Sequence, residues 1–88
     1  MLDLQHLRTF VVMAATANFT RAAKELGCSQ ATVTLHIKTL EREQGALLFE
    51  RNRFSKTNVL TAVGKTAFDY SIRLLALADE MKAAVRIW

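Results

Sequence analysis

Apolar residues recur at helical spacing along most of this chain, and the exceptions mark its joints. Leu4, Leu7, Val11 and Ala14, flanked by Phe10, form one stripe and predict a helix over about 4–16, with Asp3 as its N-cap. A shorter helix follows over 21–26, capped by Thr20 and burying Ala22, Ala23 and Leu26. Gly27 ends it abruptly, because glycine takes up left-handed backbone at little cost. Ser29 then caps a third helix over about 30–44. Val33, Ile37, Leu40 and Gln44 share one side of it. Ala31, Thr34, Leu35, Lys38, Thr39 and Arg42 lie roughly opposite, with Gln30 near the exposed N-terminal end. After Gly45 the period changes, and residues 47–51 and 57–60 read as two short strands around a polar tip, 52–56.

Thr61 caps a last helix that stays periodic to the end of the chain. Ala67, Tyr70, Leu74, Leu77, Met81 and Ala84 repeat at alternating steps of three and four, and a second line, Phe68, Ile72, Leu75 and Ala78, runs beside it. No other predicted element is long enough to cover both lines. One therefore packs on the domain, and the first, Ala67 to Ala84, is the seam of a dimer. The whole reads as mainly α: three core helices and a two-stranded wing over 1–60, then a dimerisation helix over 61–88. A short helix bracing a longer one across a glycine turn is a helix-turn-helix, whose second helix enters the DNA major groove.

Charge placement strengthens that reading more than its total does. The net charge is only +4, yet residues 51–68 hold Arg51, Arg53, Lys56 and Lys65 and no acid, while the rest of the chain has eight basic and eight acidic residues. Alone, this would be a solvated basic loop; beside a helix-turn-helix it is a face for phosphates. Arg51 and Arg53 suit a narrow minor groove, where negative potential concentrates, and Lys56 a phosphate. Gln30 is the leading base reader, since its amide pairs with adenine at two points. Leu35 has two readings: contact with a thymine methyl or sugar edge, or with another part of the domain.

Other chemistries find little support. Cys28, the single cysteine, excludes an internal disulfide and reads as packing on Val33 rather than as a redox group. His6 and His36 show no ligand spacing and read as surface or helix-edge residues; the carboxylates read as scattered on solvated helix faces, and no glycine-rich phosphate loop is present. The residues thus supply no catalytic, metal or cofactor site. No apolar run of about 18 residues and no signal pattern follows Met1, which points to a cytoplasmic protein. Eighty-eight residues make one small domain that gains from a partner subunit, and the absence of a stop signal at Trp88 suggests a longer natural polypeptide. The competing function is a helical protein-interaction module without sequence-specific DNA binding; it explains the seam but not the acid-free basic segment.

Several blocks in register resemble one family. They are Leu4-x-x-Leu7-x-x-Phe10, Phe19-Thr20-Arg21-Ala22-Ala23, Ser29-Gln30, Ile37 to Leu40-Glu41, Leu48-Phe49-Glu50-Arg51 and Leu60-Thr61-x-x-Gly64. Together they are similar to the N-terminal DNA-binding domain of LysR-type transcriptional regulators, over essentially the whole chain. The resemblance implies a bacterial regulator with a winged helix-turn-helix and a linker helix pairing antiparallel with its dimer mate. It also implies a C-terminal effector-binding domain absent from this chain, taking a small-molecule effector, and dimers that assemble into tetramers on interrupted palindromic operators. It puts base contacts on Gln30, Ala31, Thr32, Thr34 and Leu35, with Lys38 nearby. Backbone contacts fall on Thr20, Arg21 and Ser29, and wing contacts on Arg51 or Arg53. Three positions depart from the family pattern. Ala31 stands where proline is frequent and Leu35 where arginine is, and the segment between Arg51 and Leu60 is about two residues longer than usual and lacks glycine.

Overall fold

The computed structural model describes residues 2–50 and 58–86. Four helices occupy most of them: α1 (Leu4–Thr16), α2 (Phe19–Leu26), α3 (Gln30–Gln44) and α4 (Ala62–Arg86). The chain is thus mainly helical. α1 packs against each of the other three, and α2 against α3.

The first cap is as expected, with Asp3 accepting a hydrogen bond from the Gln5 amide at 2.7 Å. The buried face of α1 is rotated from the expected stripe. Leu7, Phe10 and Met13 are buried together with Thr9, whereas Leu4 is exposed and Val11 and Ala14 only half-buried. The wide aromatic and thioether side chains claim the core, and the stripe follows them. α2 begins two residues before the expected start, because Asn18 and not Thr20 caps it: Asn18 Oδ1 accepts from the Arg21 amide at 3.0 Å. Ala22 and Ala23 are buried, which lets α2 approach α1 and α3 closely. Gly27 closes α2 in left-handed conformation, φ 68°, where any other L-residue except asparagine or aspartate would be strained.

α3 has the expected bounds and buries Val33, Ile37 and Leu40; Gln44, expected on that side, is exposed. It also buries Glu41, a correction to the reading of every carboxylate as solvated. Glu41 Oε2 accepts the Leu48 amide at 2.8 Å, so the acid anchors the chain where it leaves α3. Cys28 is half-buried against the core.

The two expected strands do not form a ladder among the described residues. One antiparallel bridge joins Phe49 to Leu60, supported by the Glu50 amide donating to Val59 O at 2.7 Å. The expected tip, with Arg51, Arg53 and Lys56, lies outside the described residues.

Thr61 caps α4 as expected, its Oγ1 accepting from the Gly64 amide at 2.9 Å while donating to Leu47 O at 2.6 Å. Gly64 lies inside the first turn of α4. There it permits contact: a Cβ on Gly64 would sit 2.0 Å from the Leu48 carbonyl oxygen. Phe68 and Leu75 turn toward the core, and Phe10 meets Phe49 and Phe68 edge-on at 5.6 and 6.4 Å between centroids. Ala67, the first residue of the expected seam, also packs on the core. Gly64→Ala must push α4 off the Leu48 peptide, and overpacking of this kind costs about 1–3 kcal/mol. Urea unfolding should show the unfolding free energy falling by that amount; an unchanged value would contradict the close approach.

Candidate nucleic-acid interface

Among the described residues, those expected to meet DNA lie in the first turn of α2 and from the cap of α3 along its first half. Ser29 caps α3, its Oγ accepting from the Thr32 amide at 3.1 Å and lying 3.0 Å from Thr32 Oγ1. This cap orients the first turn, so that Gln30 and Ala31 are exposed and Thr32 is half-buried. One turn further on, Thr34 is half-buried, Leu35 is 60% exposed and Lys38 is exposed. Leu35 is thus outside the buried core and largely open to solvent. Thr20 and Arg21, in the first turn of α2, are exposed on the neighbouring helix.

One contact ties the two helices across this surface. Gln30 Nε2 donates to Thr20 Oγ1 at 3.0 Å, joining the leading base reader to an expected backbone contact. Further along, Thr39 Oγ1 donates to Leu35 O at 2.8 Å, satisfying itself on its own helix. The N-terminal amides of α3, together with Lys38 and Arg21, make the exposed end electropositive, as a helix N-terminus favours anions.

Behind the exposed face lies a pair that sequence spacing could not reveal. His6 of α1 and His36 of α3 stack with centroids 4.5 Å apart, and His36 Nδ1 lies 2.8 Å from Thr9 Oγ1. His6 Nε2 lies 3.7 Å from Asp3 Oδ2, while its buried Nδ1 has no hydrogen-bond partner among the described residues. The rings are thirty residues apart, so no local periodicity joins them. Among the described residues, no three His, Cys, Asp or Glu side chains are grouped to hold a metal.

The exposed face of α4 forms a second surface. Tyr70, Leu74, Leu77 and Met81 are exposed, Leu77 and Met81 to 60% and 63%. An apolar groove lined by Leu2, Leu7, Phe10, Val63, Tyr70 and Leu74 runs alongside α4 at its N-terminal half. Among the described residues, no helix is long and apolar enough to cross a membrane.

A helix-turn-helix with an exposed second helix, carried beside one long helix, defines a nucleic-acid-binding class of domain. The profile of the bacterial regulatory helix-turn-helix proteins of the lysR family matches residues 4–65, and the chain belongs to that family. It is 43% identical over 83 residues to the HTH-type transcriptional regulator YwqM of Bacillus subtilis, covering 94% of this chain and 28% of that protein. The chain thus spans little more than a quarter of that relative's length. In three dimensions it resembles the DNA-binding domain of BenM solved with its benA site 1 DNA, at a TM-score of 0.90 and 34% identity over 97% of this chain and 93% of that one. It likewise resembles the DNA-binding domain of CbnR in complex with DNA, at a TM-score of 0.90 and 30% identity over 98% and 97% of the two chains.

Burial lowers the pKa of His36 from its ordinary 6.5, the neighbouring His6 ring lowers it further, and Asp3 opposes both. The folded state thus favours neutral His36, and below that ordinary value the unfolded chain binds more protons. The stability from the neutral ring is complete above pH 6.5 and is lost as pH falls through the lowered folded value. The thermal midpoint of the wild type should fall as the pH drops below 6.5 toward the lowered folded value, and His36→Gln should flatten that slope. An equal slope in the variant would show that other groups carry it.

Proposed function

We propose that this chain is the sequence-specific double-stranded DNA-binding part of a LysR-type transcriptional regulator working in the bacterial cytoplasm. Residues 1–60 are a winged helix-turn-helix, and 61–88 a linker helix that pairs with a second copy. The whole protein carries a C-terminal domain for a small-molecule effector, and its dimers assemble into tetramers on interrupted palindromic operators. The role is binding, and the reading assigns the chain no catalysis.

The observation that carries this reading is the exposed edge of α3 formed by Gln30, Ala31, Leu35 and Lys38, set beside Thr20 and Arg21 at the start of α2. Its fold likeness to two domains solved on DNA supports it. α3 lies in the major groove, with Gln30, Ala31, Thr32, Thr34, Leu35 and Lys38 toward the bases. Thr20, Arg21 and Ser29 hold phosphates, and so does Lys56. The basic wing, residues 51–58, meets the minor groove or backbone through Arg51 and Arg53. Phosphate contacts supply most of the affinity, and base edges the discrimination. Leu35 is suited to a thymine methyl, which favours an A·T pair beneath it. The seam on α4 is Tyr70, Leu74, Leu77, Met81 and Ala84, all exposed, with Ala67 at its inner end.

Selection from a randomised duplex pool, followed by affinity against salt for the winner and a scrambled duplex, tests the reading. Gln30→Ala should cost about 1–3 kcal/mol on the winner and far less on the scramble. Equal weakening of both would remove Gln30 from base readout. Arg21→Ala should lower both affinities and reduce the salt slope by about one, as loss of one phosphate contact does. Indifference of the wild type to duplex DNA at low salt would favour the protein-interaction module instead. Leu77→Glu should weaken self-association about tenfold or more in sedimentation, because a charge is left against an apolar seam. An unchanged association constant would move the dimer contact elsewhere.

A further inference from the structure

The bond between Gln30 and Thr20 restricts which base the chain can read. A primary amide has two N–H donors and one accepting oxygen. One Nε2–H of Gln30 is committed to Thr20 Oγ1, at 3.0 Å. What remains for a ligand is one N–H and the C=O, one donor and one acceptor. In the major groove adenine presents the complement, acceptor N7 beside donor N6–H₂, whereas guanine presents two acceptors, N7 and O6. To pair with both guanine acceptors, Gln30 would need the N–H that Thr20 holds.

The hydroxyl has a matching constraint. Thr20 Oγ carries one proton and two lone pairs. Accepting from Gln30 uses a lone pair and leaves the proton for a phosphate oxygen, which can only accept. The reverse arrangement, with Thr20 donating to the amide oxygen, would turn both Gln30 N–H groups outward, the pattern that suits guanine. A phosphate bonded to Thr20 takes the proton and forbids that reversal. A backbone contact with no sequence information of its own thereby fixes the polarity of the base reader.

We infer that Thr20 is the positioning residue for the Gln30 amide and that the Thr20–Gln30 pair makes the chain select adenine over guanine where Gln30 meets the duplex. The inference rests on the duplex-binding reading proposed above and adds to it a positioning residue and the exclusion of guanine. The bond exists without DNA and both residues are exposed, so the amide is already oriented when a duplex arrives. Thr20→Val keeps the shape and branching of threonine and removes the hydroxyl. Thr20→Ala removes it without branching, and Thr20→Ser restores it.

The experiment is selection from a randomised duplex pool with the wild type, Gln30→Ala and the three Thr20 variants, then affinities for duplexes that differ at one position. That position is the one where Gln30→Ala loses its preference. The wild type should choose adenine there. Thr20→Val and Thr20→Ala should keep the wild-type thermal midpoint and lose roughly an order of magnitude of the adenine-over-guanine preference. Thr20→Ser should recover it, and in the Gln30→Ala background Thr20→Val should leave the base preference unchanged while lowering all affinities by one common factor. The inference is overturned if Thr20→Val keeps the full preference, if it weakens all duplexes by one factor as a plain phosphate contact would, or if the wild type selects guanine. A wild type with no preference at any position overturns the duplex reading as well.

Discussion

The backbone of Leu48 is the hinge pin of this structure. Its amide donates to the buried Glu41 carboxylate on α3, its carbonyl accepts the Thr61 amide at 3.0 Å, and the same carbonyl presses against Gly64 in the first turn of α4. One residue's backbone thus joins the end of the second helix of the helix-turn-helix to the start of the long helix. A hydrogen bond to a charged acceptor contributes about 1.5–3 kcal/mol, and a buried amide left without one costs a similar amount. Neither Glu41 nor Gly64 can be exchanged freely, because each faces a backbone group that cannot turn away.

From that point the recognition surface follows. α3 is held at its C-terminal end by Glu41 and along its inner face by Val33, Ile37 and Leu40 against Phe10 and Met13 of α1. Its N-terminal end is set by the Ser29 cap and by α2, which comes close because alanine lines its inner face. Among the described residues, what holds α3 lies behind it or at its ends, and the tie between Gln30 and Thr20 joins the front of its first two turns to α2. A rigid helix held in this way can insert into a groove without the domain rearranging. The His6–His36 stack lies on the α1 side of the same helix and makes that support sensitive to protons.

Much of this was legible in the sequence, for identifiable reasons. The bounds of α3 could be read because Ser29 and Gln44-Gly45 are strong local signals at its ends. Gly27 gave the turn and Thr61 the start of α4 for the same reason. Asn18 and Thr20, two positions apart, are both capping residue types, and the cap expected at Thr20 falls instead on Asn18. Thr20 was thereby left free for Gln30. The stripe of α1 was misread because a count of apolar positions weighs Leu4 and Met13 alike, while packing favours the side chain that faces Phe49 and Phe68 through Phe10. Glu41 looked like any surface acid, since its partners lie seven and eight residues on, in a segment without helical period. The histidine pair depends on how α1 crosses α3, which no local pattern encodes. The candidate contacts at the start of α3 were found by position in the motif, and burial then separated exposed Gln30, Ala31, Leu35 and Lys38 from half-buried Thr32 and Thr34.

The most direct test is to map backbone amide chemical shifts as the chain is titrated with its selected duplex. The account predicts the largest changes at the start of α2, around Thr20 and Arg21, and along 29–38, with Leu77 and Met81 on α4 unmoved once the dimer has formed. Changes centred on the exposed face of α4, with the start of α3 silent, would contradict it.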